Sequence, residues 1–242
     1  MIEFKGVIKS FNGNPVIRDF SMTANPGMIS CLVGKNGAGK STLVNLAMGL
    51  LRLDGGEVKI LGQKVDRSNR GVLKRVGFVL EEPSYVESFS AKEQLEFMGR
   101  LYEVPNLKTR IDELIDFFSL PKDNKKLITQ YSTGMQAKVA MASALIHKPE
   151  VLILDEPFNG LDLPSYDKLL AYLKDYVSNG NCVLITTHHV DVIMELSDRV
   201  AIIKSGQLHF NYSFQELKER ADVYKDERAP IKKYLSEQLA DN

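Results

Sequence analysis

The chain has no tryptophan and only two cysteines among its 242 residues. Two cysteines are too few for a disulfide-dense scaffold. Cys31 and Cys182 each sit in an apolar stretch without metal-ligand spacing, so they read as small core residues in a reducing compartment, and the cytoplasm is expected. Excess charge is missing too: Lys and Arg number 31, and so do Asp and Glu. That balance removes any global pull toward nucleic acid or anionic lipid, and no nucleic-acid partner is expected. No apolar run approaches the ~18 residues that a membrane span needs. The stretch from Met1 to Phe11 is charged and strand-like, unlike a signal peptide. There is no internal repeat and no low-complexity segment. A hydrophobic content of 44% is ordinary for a globular protein and can bury a sizeable core, in one domain with a subdomain or in two small domains.

What is present centres on Ile29 to Leu50. Ile29 to Val33 reads as a buried strand. Gly34-Lys35-Asn36-Gly37-Ala38-Gly39-Lys40-Ser41 then fits G-x-x-x-x-G-K-[ST] in full, and Thr42 to Leu50 continues at helical spacing. Strand, glycine loop and helix stand in the order of a phosphate cradle. Glycines let several backbone N–H groups point inward, and the helix aims its positive end at the same place. Lys40 can reach the β- and γ-phosphates, and the Ser41 hydroxyl can ligate Mg²⁺.

On the N-terminal side, Ile2 to Ser10 and Val16 to Ala24 alternate and predict two antiparallel strands joined by the turn Asn12-Gly13-Asn14-Pro15. Phe11 at that turn can stack on a base, or pack the core or the turn. Downstream, Glu57 to Leu61 predicts a strand, Asn69 to Lys74 a short helix, and Val76 to Leu80 a buried strand ending at Glu81-Glu82-Pro83. From Ser84 to about Lys148 the pattern is helical, with segments at Ala91 to Tyr102, Asn106 to Phe118 and Met135 to Ile146. Strands resume at Val151 to Leu154, Cys182 to Thr186 and Arg199 to Lys204, with helices at Pro164 to Val177 and Val190 to Leu196. The expected fold is α/β: a P-loop NTPase core with a mostly parallel sheet, an N-terminal antiparallel β subdomain and an inserted α-helical subdomain. The expected divisions are 1–83 with 149–211 for the core, 84–148 for the helical part, and 212–242 for a charged helical tail.

Asp155 and Glu156 close a buried strand at its carboxyl end, where ligands bind in open α/β sheets. Asp155 can hold Mg²⁺ through water, and Glu156 can take a proton from, or orient, the water that attacks the γ-phosphate. The alternative for such a pair is a helix cap or a turn. His188 closes another strand, and a neutral imidazole there can sense the γ-phosphate or be satisfied within its loop.

From about Met1 to Gln207 the chain resembles the ATP-binding subunit of an ABC transporter. The resemblance rests on the phosphate loop and four further motifs in the family's order. Phe11 falls where the family stacks an aromatic on adenine, and Tyr131-Ser132-Thr133-Gly134-Met135 where it has its signature loop, usually Leu-Ser-Gly-Gly-Gln. Asn159-Gly160-Leu161-Asp162 looks like the loop through which two subunits communicate, and Thr187-His188 like the switch histidine. Three positions depart from the pattern: Glu81 replaces a Mg²⁺-touching glutamine, Thr133 a glycine, and Met135 a glutamine. Glu81 with a Ser-x-Gly-Met signature is similar to the exporter branch served by ABC-2-type membrane subunits.

The resemblance implies ATP and Mg²⁺ as ligands and a P-loop from Gly34 to Thr42. Lys40, Glu156 and His188 would be catalytic; Ser41, Asp155 and Glu81 would hold the metal. Phe11, Ser132, Thr133, Gly134 and Asp162 would complete the nucleotide site. It implies a head-to-tail pair of ATP-binding subunits in which each P-loop faces the partner's Ser132 to Gly134. It also implies integral-membrane permease subunits, with the chain peripheral on the cytoplasmic face of the membrane. A soluble ABC-type ATPase is an alternative, although the segment from Glu82 to Tyr131 is too short for a coiled coil. So is an ATP-binding assembly module with little turnover.

Overall fold

The computed structural model describes the chain except residues 67–68, 70, 83, 123–125, 226 and 241–242. In chain order the elements are β1 (Ile2–Phe11), β2 (Asn14–Ala24), β3 (Ile29–Val33), α1 (Lys40–Ala47), β4 (Gly55–Ile60), β5 (Gln63–Lys64), β6 (Val76–Val79), α2 (Ala91–Leu101), α3 (Leu107–Phe118) and α4 (Thr133–Leu145). After these come β7 (Val151–Asp155), α5 (Leu163–Ser178), β8 (Cys182–Thr187), α6 (Val190–Leu196), β9 (Arg199–Lys204), β10 (Gln207–Ser213), α7 (Phe214–Ala221) and α8 (Pro230–Leu239). The short helix expected over Asn69 to Lys74 includes Arg70, outside the described residues; a 3₁₀ turn spans Gly71–Arg75. Pro83, expected to stop the strand before it, also lies outside them.

The chain forms two compact units, Met1–Val72 with Leu173–Asn242, and Leu73–Tyr172. The first holds an antiparallel sheet ordered β2-β1-β4-β5. Its β1–β2 hairpin turns on Asn12 and Gly13, both at positive φ (50° and 79°), the geometry that the Asn-Gly pair favours in two-residue hairpins. The same unit holds the strands β10, β9, β3 and β8, side by side in that order. β3 runs parallel to both β8 and β9, whereas β10 returns antiparallel to β9. Every residue of β3 and β8 is buried, which explains why these stretches read as unbroken runs rather than alternating ones. Each fully buried Ile, Leu or Val there contributes about 1.5–3 kcal/mol.

The second unit pairs β6 with β7 in parallel and adds α2, α3 and α4. A Ser90–Glu93 capping box starts α2. α3 buries Ile111, Leu114, Ile115 and Phe118 at i, i+3/i+4 spacing, while Leu107 at its start is half-buried. Among the described residues no helix is long and apolar enough to cross a membrane.

Both cysteines are buried, as their sequence context implies. Burial, and then the charge of Asp198, pushes the Cys31 thiol up to about 12, and burial raises Cys182 as well. Thiolate is the reactive form. Neither thiol is therefore expected to react with Ellman's reagent at pH 8 in the native chain, and both should react in guanidinium. Rapid native labelling would contradict this packing.

Candidate functional site

The phosphate loop joins the end of β3 to α1 within the first unit. Its glycines answer to two different demands. A Cβ at Gly34 would stand 2.7 Å from the Ile203 carbonyl oxygen, so that glycine lets the loop lie against β9. Gly39 has φ +110° and its Cβ would meet Ile17 at 2.5 Å. Gly37, at φ +82°, has nothing within 4 Å of a Cβ and faces open space. The β9–β10 turn clamps the loop from behind: the Gly206 N–H donates to the Ala38 carbonyl at 3.1 Å, and the Arg18 N–H to the Gly206 carbonyl at 2.9 Å.

Lys40 opens α1 and is 7% exposed. Its ammonium donates to the Gly34 carbonyl at 2.7 Å and to the Lys35 carbonyl at 3.3 Å. The first turn of α1 has no side-chain cap and no acidic residue, so its N-terminal amides and positive end meet no competing carboxylate there. Open space over Gly37, an uncapped helix start and a cation held at the loop fit a phosphate chain. Ser41 is exposed beside them and Thr42 half-buried.

Strand register places His188. Val33 of β3 is level with Thr187 of β8, so Gly34 and His188 leave neighbouring parallel strands at the same carboxyl edge. The His188 and His189 rings lie 4.0 Å apart, and the His189 N–H donates to Thr187 Oγ1 at 3.0 Å. Phe11 ends β1 with 40% exposure and the Lys9 ammonium 5.2 Å from its ring centre. Being exposed, it does not pack a core.

In the second unit, Val79 of β6 is level with Leu154 of β7, so Glu81 follows one strand where Asp155 and Glu156 close the other. Glu81 is exposed, while Asp155 and Glu156 are only 3% and 6% exposed. Glu156 adopts φ +50°. A non-glycine residue held in that region costs of order 1–3 kcal/mol, and such strain clusters at functional sites.

The signature loop starts α4, two residues earlier than its periodicity predicts. Ser132 is the N-cap, its hydroxyl accepting from the Met135 N–H at 3.3 Å, and the cap draws Thr133 and Gly134 into the helix. Ser132 and Thr133 are exposed at that helix start. The turn around Gly160 lies directly on Gly134: a Cβ there would stand 2.3 Å from the Gly160 carbonyl oxygen. Asp162 caps α5, accepting from the Ser165 N–H at 2.9 Å, and pairs with Lys138 at 3.0 Å. Hydrogen bonds from Ser165 and Lys138 hold the Asp162 carboxyl down at about 2. Because its folded value is depressed, any stability it contributes is present above the usual carboxylate range and lost as pH falls toward 2.

Gly134→Ala should therefore destabilise the fold by about 1–3 kcal/mol, since backbone rather than a flexible side chain opposes the new methyl group. Urea denaturation measures it. An unchanged midpoint would mean that the two loops stand farther apart.

Reading the sequence missed Ile17, Ile203 and Gly206 behind the phosphate loop, and Lys138 beside Asp162. Gly206 adopts φ +78° in the β9–β10 turn, and its contact with the loop carries no local signal in the sequence.

Residues 17–159 match the family model described as ABC transporter. The chain is 30% identical over 242 residues to the bacitracin transport ATP-binding protein BcrA of Bacillus licheniformis, covering 100% of this chain and 76% of that one. It is 33% identical over 219 residues to the daunorubicin/doxorubicin resistance ATP-binding protein DrrA of Streptomyces peucetius, covering 90% and 66%. A solved ATP-binding subunit of an ABC transporter aligns with TM-score 0.84 and 24% identity over 91% of this chain and 92% of that one. A dimeric post-hydrolysis ATP-binding cassette bound to ADP and Pi aligns with TM-score 0.80 and 23% identity over 88% and 98%. At those identities the solved structures speak for the fold.

Proposed function

The chain belongs to the ABC transporter family as an ATP-binding, ATP-hydrolysing subunit, and we propose that it powers export through separate membrane proteins by closing and opening as one of a pair. The observation that carries the proposal is the phosphate loop, with open space over Gly37, the uncapped start of α1 and the Lys40 ammonium held at its mouth.

In this reading Phe11 stacks on the adenine and Gly34 to Thr42 wrap the phosphates. Lys40 neutralises the β- and γ-phosphates. By resemblance to the family, Ser41, Asp155 and Glu81 would hold Mg²⁺, an all-oxygen donor set that suits a hard cation. When bound, the ion supplies charge neutralisation at the phosphate oxygens. Glu156 accepts the proton of the attacking water, and His188 holds the γ-phosphate end. Each chain then offers only part of each γ-phosphate's surroundings: Ser132, Thr133 and Gly134, with Asp162 behind them, complete the partner's site. ATP thereby holds two chains together, and hydrolysis removes the bridge.

The exporter assignment is supported by Glu81, by the Ser-x-Gly-Met signature, and by relatives named for bacitracin transport and daunorubicin resistance. The proposed place of action is the cytoplasmic face of the membrane, against permease subunits that meet the stretch after Glu81 and α2. Affinity purification from detergent-solubilised membranes of the native cell tests this. Recovery of an integral-membrane partner is expected, and a chain recovered alone from the soluble fraction would contradict it.

A further inference from the structure

The tail helix α8 ends beside a cavity that the phosphate loop also lines. Ile231 and Leu235 are buried and anchor it. Lys232 pairs with Asp191 of α6, the helix that follows His188, at 3.0 Å. Its ten residues rise about 15 Å, and its far end meets the β9–β10 hairpin. There His209 Nε2 lies 3.1 Å from Gln238 Oε1, and Lys204 Nζ donates to the Ala240 carbonyl at 3.5 Å. Leu239 lines a cavity of about 190 Å³ together with Lys35, Asn36, Gly37 and Ser205. The turn that meets the tail is the turn that holds the loop, through the Gly206 N–H on the Ala38 carbonyl and Ile203 behind Gly34.

We propose that Leu239 is a positioning residue for nucleotide, a brace at the end of α8 that holds the outer wall of the Lys35 to Ala38 segment in its binding shape. The inference rests on the nucleotide reading above. A glycine-rich loop loses conformational freedom when it closes on a phosphate chain, and a wall that orders it beforehand lowers that cost. Leu239 is only half-buried, whereas Ile231 and Leu235 do the anchoring, so its side chain is not what keeps the helix folded.

The test is Leu239→Asp in the full chain, read by binding of the fluorescent analogue mant-ATP and by basal ATPase kinetics. The Kd and KM should rise together by about three- to tenfold, with kcat within about twofold of the unaltered chain. Leu239→Met should restore both. Unchanged Kd and KM overturn the proposal. So does a loss spread equally over kcat, binding and Tm that Leu239→Met fails to repair, because that is a folding defect. If the unaltered chain itself binds no mant-ATP, the nucleotide reading falls first and takes this inference with it.

Discussion

Glu156→Gln leaves ATP binding intact and stops turnover. The substitution keeps the size of the side chain and one carbonyl oxygen but removes the basic carboxylate. A positioned general base contributes about 10²- to 10⁴-fold, so kcat should fall by that range while the Kd for ATP stays within a few-fold. Glu156 is suited to the role by its place after β7 and its burial. Because the bridge between two chains would no longer be cleaved, the variant with ATP should elute as a dimer in size-exclusion chromatography. Turnover persisting within a few-fold would show that another group takes the proton.

Lys40→Ala gives the opposite pattern, with nucleotide affinity lost at the outset. The ammonium sits at the loop on two carbonyls, 2.7 Å and 3.3 Å away, ready to turn to a phosphate. Hydrogen bonds to charged groups contribute about 1.5–3 kcal/mol, which corresponds to roughly 10- to 100-fold in Kd. Isothermal titration with ATP measures this, and affinity equal to the unaltered chain would remove Lys40 from the site. The two variants together separate binding from chemistry.

Much of this was legible in the residues because the relevant signals are local. β3, α6 and β9 match their sequence-based bounds, since unbroken apolar runs and flanking turns mark buried parallel strands and the helix between them. The phosphate loop is legible because its chemistry forces glycine, lysine and serine into fixed spacing. Apolar periodicity begins at Met135 and so sets the start of α4 two residues late, whereas the boundary is fixed by the Ser132 hydroxyl. The clamp from Gly206 to Ala38, the packing of Gly160 on Gly134 and the pairing of Lys138 with Asp162 join residues distant in sequence or depend on φ. No periodicity encodes such contacts.

The central claim is that each chain carries two incomplete nucleotide surfaces that are completed by a partner. Mixing two inactive variants tests it most directly. Lys40→Ala spoils the phosphate loop and Ser132→Arg spoils the signature loop, and each alone should be silent in an ATPase assay. In a mixed pair, one site combines both defects, while the other combines an unaltered phosphate loop with an unaltered signature loop. The mixture should regain ATPase activity that neither variant has alone. A mixture as silent as its components would contradict it and place both loops around the same nucleotide within one chain.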